Sequence, residues 1–171
     1  MKPGVGWALV LVLCLAAGLR GWAVHEYTHA HPLSDAPTID EASYDAWAVN
    51  VASGDWMGEE VFFQEPLYPY FLGGVYAVFG RDLFIVRLFQ AALGVLTCWL
   101  VAQLGRRMAG DWAGVLAALL FACLPSAVLL PCLLLKPNLH LPLFCACALL
   151  LTRSGIGGFR RWFAIGLVGS L

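Results

Sequence analysis

The sequence predicts an all-α, polytopic transmembrane protein with short interfacial helices in its first outer loop. Three observations lead there. Hydrophobic residues make up 61% of the chain and charged residues 12%, outside the range of soluble globular or disordered chains. The apolar residues are gathered in runs near the roughly 20 residues that a spanning helix needs. Ten of the eleven carboxylates fall between His25 and Asp82, and Arg81 is the only Lys or Arg among them.

Residues 4–24 form the first span. Lys2 precedes it as in a signal peptide, but the apolar run is long and no small-x-small cleavage site follows. Arg20, near its outer end, is expected to snorkel to the interface. Residues 25–82 form the acidic outer loop. The second span covers residues 83–104. The third covers 112–130 and is broken near its end by Pro125 and Pro131. A short fourth covers 139–151, and a fifth begins at Trp162. Only ten residues run from Trp162 to Leu171, so the sequence reads as the N-terminal part of a longer protein.

Orientation follows from the bases. Lys2 precedes the first span, Arg106 and Arg107 follow the second, and Arg153, Arg160 and Arg161 follow the fourth. All fall on one side when the N-terminus is cytoplasmic. The acidic loop then faces outward from a plasma (inner) membrane.

The loop has helix signals of its own. Thr38-x-x-Glu41 has the form of a capping box, with the Thr38 hydroxyl accepting from the Glu41 amide and Glu41 reaching back. Tyr44, Trp47, Ala48 and Val51 then recur at helical spacing, and Gly54 stands where a C-cap glycine belongs. This predicts an amphipathic helix of about 14 residues lying on the membrane. Trp47, Trp56, Phe62, Phe63, Tyr68, Tyr70, Phe71 and Tyr76 form an aromatic belt. Residues 66–79 are too short to span and read as a second interfacial helix.

Several function classes fall away. No basic stripe exists, which excludes nucleic acid as a partner. The six cysteines lie in apolar runs and read as small buried residues, and Cys145-x-Cys147 lacks zinc-site spacing. His25-Glu26-Tyr27-Thr28-His29 satisfies H-E-x-x-H, which on a helix can hold zinc. It sits at the outer end of the span, with Pro32 close behind and no convincing third ligand. A transporter places its ionisable residues in mid-span more often than in an outer loop. A non-catalytic membrane scaffold or fragment, and the metalloprotease, stand as alternatives to surface chemistry on a lipid-linked substrate.

Asp40-Glu41-x-x-Tyr44, Ser53-Gly54-Asp55-Trp56, Glu65-Pro66-Leu67-Tyr68-Pro69-Tyr70, Phe79-Gly80, Arg87 and Leu134-Leu135-Lys136-Pro137 occur in that order. Together they resemble the N-terminal portion of polyprenyl-phosphate-dependent glycosyltransferases of the GT-C fold. The nearest group is the protein mannosyltransferase / aminoarabinose transferase-like family. The resemblance implies a membrane enzyme that moves a sugar from a polyprenyl-phosphate carrier to a protein, lipid or glycan acceptor at the outer face, with inversion. It implies Asp40 as base or acceptor-orienting carboxylate, with Glu41 beside it. It implies substrate or phosphate contacts by Arg87, Lys136, Tyr44 and Tyr68. A divalent metal ion is a further expectation, with Glu65 as its ligand. The aminoarabinose transferases have Glu then Lys before the proline, whereas Gln64 and Glu65 stand here.

Overall fold

The computed structural model describes residues 3–56 and 65–152. Seven α-helices and one 3-10 turn make up the fold, and no strand occurs among the described residues. The helices are α1 (Pro3–Ala30), α2 (Asp40–Ala52), α3 (Leu67–Phe79), α4 (Leu83–Ala109), α5 (Asp111–Cys123), α6 (Pro125–Leu129) and α7 (Pro137–Leu151), with the 3-10 turn at Leu130–Cys132. The all-α membrane architecture is as expected. Phe62, Phe63, Gln64, the fifth span, Lys2, Arg153, Arg160 and Arg161 lie outside the described residues.

α1 and α4 are each long and apolar enough to cross a membrane. With a rise of about 1.5 Å per residue, α1 measures roughly 42 Å and overshoots a 30 Å hydrocarbon core. The excess is about eight residues, as many as a tilt or an overhanging end can take up. α5 and the segment Pro125–Cys132 are bent by 64° at their junction, the geometry of a broken span or a re-entrant loop. Pro125 supplies the break: it lacks an N–H, and it holds Leu124 in an extended conformation.

α1 and α5 run in one direction, α4 and α7 in the other. Thr28, near the end of α1, meets Arg87 near the start of α4. α4 and α5 form a tight hairpin through Gly110, whose φ is 93°. At their crossing a Cβ on Gly114 would lie 2.4 Å from the Ala102 carbonyl oxygen, so only glycine fits. Helices in lipid gain little from apolar burial against each other, and small residues that permit close contact take over. Ala16, Ala102, Ala118 and Ala122, all fully buried, fill the same core between α1, α4 and α5.

A second core joins α2, α3, the start of α4 and Leu134. Gly73 of α3 sits against Val51 and the Ala48 carbonyl, where a side chain would clash. α2 therefore packs Tyr44, Asp45, Ala48 and Val51 onto α3 and its surroundings. The predicted stripe differs by one residue: Asp45 is buried and Trp47 is half-buried.

Three expectations are corrected. Arg20 does not snorkel; it is fully buried. Gly94 of α4 makes the room, since a Cβ there would lie 2.7 Å from the Arg20 Nε. The guanidinium donates to the Ala16 and Ala122 carbonyls and lies over Phe121. The capping box does not form. Ile39, with φ of 51°, turns the chain before α2, and the Thr38 carbonyl rather than its hydroxyl accepts from the Glu41 amide at 3.1 Å. Of the cysteines, Cys98 and Cys132 are buried, but Cys14 and Cys123 are exposed on outward helix faces.

Candidate functional site

Two charged clusters occupy opposite ends of the bundle. One end holds Arg106, paired with Asp111 at 3.1 Å, and Arg107, which donates to the Leu149 carbonyl and the Thr152 hydroxyl. The other end holds α2, α3 and the loop between the 3-10 turn and α7. The candidate site is at this second end.

α2 presents Asp40 at its first position, exposed, and Glu41 half-buried behind it. The helix ends in a Schellman motif: the Asp55 amide donates to the Asn50 carbonyl at 3.0 Å and the Gly54 amide to the Val51 carbonyl at 3.1 Å. Gly54 takes the positive φ this requires, 99°. Asp55 thus belongs to a turn at the far end of α2 from Asp40.

Glu41 spans a long sequence gap. Its Oε1 accepts from the Leu134 amide at 2.8 Å. That bond fixes the start of α2 against the loop carrying Lys136. On the same loop, the Lys136 Nζ lies 2.9 Å from Glu65 Oε2, and the His140 Nε2 lies 3.6 Å from the same oxygen. The hydrogen bond from Lys136 holds the Glu65 carboxyl below the ordinary carboxylate range. Reciprocally, Glu65 raises Lys136, with Tyr44 and Asp40 adding their charge. Asp40, Tyr44, Glu65, Lys136 and His140 are therefore one electrostatic group.

Tyr44 and Tyr68 lie beneath it, not on its rim. They meet edge to face, with ring centroids 5.0 Å apart. Both are buried, and burial first of all pushes both phenols up; for Tyr44 the charges of Asp40 and Glu65 add while Lys136 opposes. The Tyr68 hydroxyl interacts with Gln90 without reaching hydrogen-bond geometry, so both polar groups stay unpaired in the core.

Arg87 is 2% exposed. Its Nε donates to the Cys132 carbonyl at 3.0 Å, Nη1 to the Thr28 hydroxyl at 3.3 Å and Nη2 to the Ser34 carbonyl. The ring of Tyr27 faces the guanidinium at 4.9 Å. Arg87 thus clamps the end of α1, the loop after it and the 3-10 turn onto α4. Each nitrogen of the side chain already has a protein oxygen, and the buried group presents almost no surface to a phosphate.

Sequence reasoning missed a second clamp. Asp45, on α2, accepts from the Tyr76 hydroxyl at 2.6 Å and from Arg81 through Nε at 3.1 Å and Nη2 at 2.7 Å. Burial first, and then the bond to Asp45, pushes the Tyr76 phenol up; Asp45 also raises Arg81. The signal was on the page: Arg81 is the one base in the acidic stretch, and Asp45 follows Tyr44 in the buried stripe. His140 was also missed as a site residue. It lies one helical turn after Lys136, and its amide donates to the Lys136 carbonyl at 3.1 Å.

Metal binding finds little support around Glu65. Its oxygen is 2.9 Å from an ammonium group, and no group of three His, Cys, Asp or Glu residues able to hold a metal occurs among the described residues. In H-E-x-x-H, the His25 and His29 rings lie 4.2 Å apart, and the His29 Nδ1 is bonded to the His25 carbonyl at 2.8 Å.

Residues 64–171 match the family model described as dolichyl-phosphate-mannose-protein mannosyltransferase. No curated protein and no solved structure matches the chain.

Proposed function

Because the chain belongs to the dolichyl-phosphate-mannose-protein mannosyltransferase family, well over half of it lying within the match, we propose that the Asp40–Lys136 end of the bundle is the acceptor and carrier-phosphate half of its active site. The family makes the protein a membrane glycosyltransferase that draws on a polyprenyl-phosphate sugar donor. The finer reading is transfer to a protein acceptor at the outer face of the plasma membrane, with the N-terminus cytoplasmic. The bases flanking the spans in sequence, Lys2, Arg106, Arg107, Arg153, Arg160 and Arg161, support that orientation.

The mechanism is a single displacement. An acceptor hydroxyl is a poor nucleophile, so a carboxylate must take its proton as the new bond forms. Asp40, exposed at the start of α2, has that role. The acceptor oxygen bonds to the anomeric carbon and the proton passes to Asp40. The anomeric carbon–oxygen bond breaks, and its electron pair leaves with the lipid phosphate. One attack from the opposite face inverts the anomeric centre. Lys136 meets the growing charge on the phosphate. Glu41 and Arg87 act as positioning residues, the first holding the Lys136 loop to α2 and the second holding that loop to α4.

The observation that carries this reading is a pair of ties across three separate stretches of sequence: Lys136 meets Glu65 at 2.9 Å, and Glu41, next to Asp40, holds the same loop through the Leu134 amide at 2.8 Å. Asp40→Asn in the complete protein tests it. Transfer falls by about a hundredfold or more while membrane insertion and thermal stability hold. Wild-type turnover in Asp40→Asn would remove Asp40 from the mechanism.

A further inference from the structure

Glu65 and His140 have no role in the displacement just described, yet both meet Lys136. One oxygen, Oε2 of Glu65, faces two nitrogens: Lys136 Nζ at 2.9 Å and His140 Nε2 at 3.6 Å. The second distance is too long for a hydrogen bond. The His140 Nε2 is nevertheless covered and has no other partner. A carboxylate anchored elsewhere in the chain satisfies one nitrogen and stops short of the other.

Lys136 and His140 form a rigid pair. They are one turn apart at the start of α7, and the Leu134 and Asn138 bonds fix the loop behind them. Glu65 has more freedom: its side chain is 50% exposed, and it precedes α3 rather than lying within a helix. An exposed ion pair of this type adds little to stability, so the protein loses little by opening it. The donor is a phosphodiester, with one negative charge like a carboxylate; the phosphate that leaves it carries more charge and three acceptor oxygens in place of two. That leaving phosphate has an oxygen for each nitrogen. The charge of Asp40 also acts on Lys136, and a phosphate must tolerate it there.

We propose that Lys136 and His140 together form the anion site for the carrier phosphate, and that Glu65 is its internal occupant, displaced as the phosphate leaves the sugar and gains charge. This rests on the glycosyltransferase reading and adds to it a second phosphate ligand and a built-in competitor. The competitor keeps the Lys136 and His140 nitrogens from standing unpaired between turnovers.

Farnesyl phosphate is a suitable probe, titrated into the complete protein in nanodiscs, with farnesol and inorganic phosphate as controls. Glu65→Gln weakens the competitor and tightens farnesyl phosphate about tenfold. His140→Gln weakens it about tenfold, and His140→Arg restores it. Farnesol binding stays constant throughout. A misfolded variant does not bind more tightly, so the gain in Glu65→Gln cannot come from damage. If Glu65→Gln gives no gain, or His140→Gln no loss, while wild type still prefers farnesyl phosphate to farnesol, this inference falls and the phosphate role of Lys136 survives. Wild type binding farnesyl phosphate no better than farnesol overturns the phosphate reading as well. Inorganic phosphate binding as tightly as farnesyl phosphate makes this a free-phosphate site and overturns the carrier assignment.

Discussion

Arg87→Met separates a positioning role from a direct phosphate contact. The substitution keeps much of the side-chain volume and removes all the donors. Three acceptors lose a partner: the Cys132 carbonyl, the Ser34 carbonyl and the Thr28 hydroxyl. Hydrogen bonds to a charged donor are worth about 1.5–3 kcal/mol each, and a buried acceptor left unpaired costs about 1–3 kcal/mol. The terms overlap, because one guanidinium serves all three and its own desolvation cost disappears with it. Breaking a buried charged network typically costs 3–5 kcal/mol, and about 4 kcal/mol is the expected loss here. For a chain of this length that corresponds to a fall in melting temperature on the order of 10 °C.

The assay is thermal unfolding of the complete protein in one fixed detergent or nanodisc, paired with donor KM at a temperature where the variant remains folded. Arg87→Met melts well below wild type. Arg87→Lys recovers only part of the loss, because one ammonium cannot reproduce a fork aimed at three directions. Donor KM changes little in the folded fraction. An unchanged melting temperature with a KM raised tenfold or more would refute the clamp and return Arg87 to the phosphate.

Other expectations follow from the same geometry. Asp45→Ala orphans the buried Tyr76 hydroxyl and frees Arg81, whose side chain is 46% exposed and so adds little; the loss is about 2–3 kcal/mol by thermal unfolding, dominated by Tyr76. Asp45→Asn, which can still accept from Tyr76, loses less. The Glu65–Lys136 pair gives a pH signature. Glu65 is held below its ordinary range in the folded protein, so its contribution is present above that range and lost as pH falls through the depressed folded value. Wild type therefore melts slightly above Glu65→Gln at neutral pH, and that small offset closes as pH falls through the depressed value. An offset that does not shrink with falling pH contradicts the pairing. Asn138→Ala removes a side-chain amide that donates to the Leu130, Leu133 and Leu135 carbonyls at 3.2, 3.0 and 3.1 Å; turnover drops several-fold or more with the loosened loop, while farnesol binding, which needs no cation, is unchanged.

The elements were largely legible in the sequence, because lipid makes their signal strong. Apolar runs of spanning length, prolines at a break and a glycine after α2 all refer to local chain geometry, and α1, α4, the bend at Pro125 and the Gly54 turn follow them. The capping box failed for an equally local reason that composition hides: Ile39 takes a positive φ, and the Thr38 carbonyl takes the Glu41 amide. Arg20 failed because snorkelling was judged from depth along one helix. Gly94 on another helix opens the space that buries it. The charged residues at the site were recognised by type, but their partners were not. Glu41 finds Leu134, Arg87 finds Cys132 and Asp45 finds Arg81, each pair far apart in the chain and set by packing rather than by spacing.

Those partnerships also explain how the site can be held in place without a large soluble core. Between helices in lipid, apolar contact does little to select one register over another. Close small-residue crossings fix the approach of α4 to α5 and of α2 to α3. The relative height of the helices then depends on polar ties. The backbone just before α7 is tied at both flanks: the Cys132 carbonyl to Arg87 on α4, and the Leu134 amide to Glu41 on α2. Lys136 and His140 follow within one turn. A shift of α4 or α2 along its axis would therefore move Lys136 and His140 relative to Asp40, which sits one residue from Glu41. Base and phosphate ligand are coupled through two backbone hydrogen bonds rather than through a mobile surface loop. Substitutions that preserve hydropathy but sever either tie should leave insertion intact and misplace the base relative to the leaving group, because insertion depends on apolar length whereas register depends on these bonds.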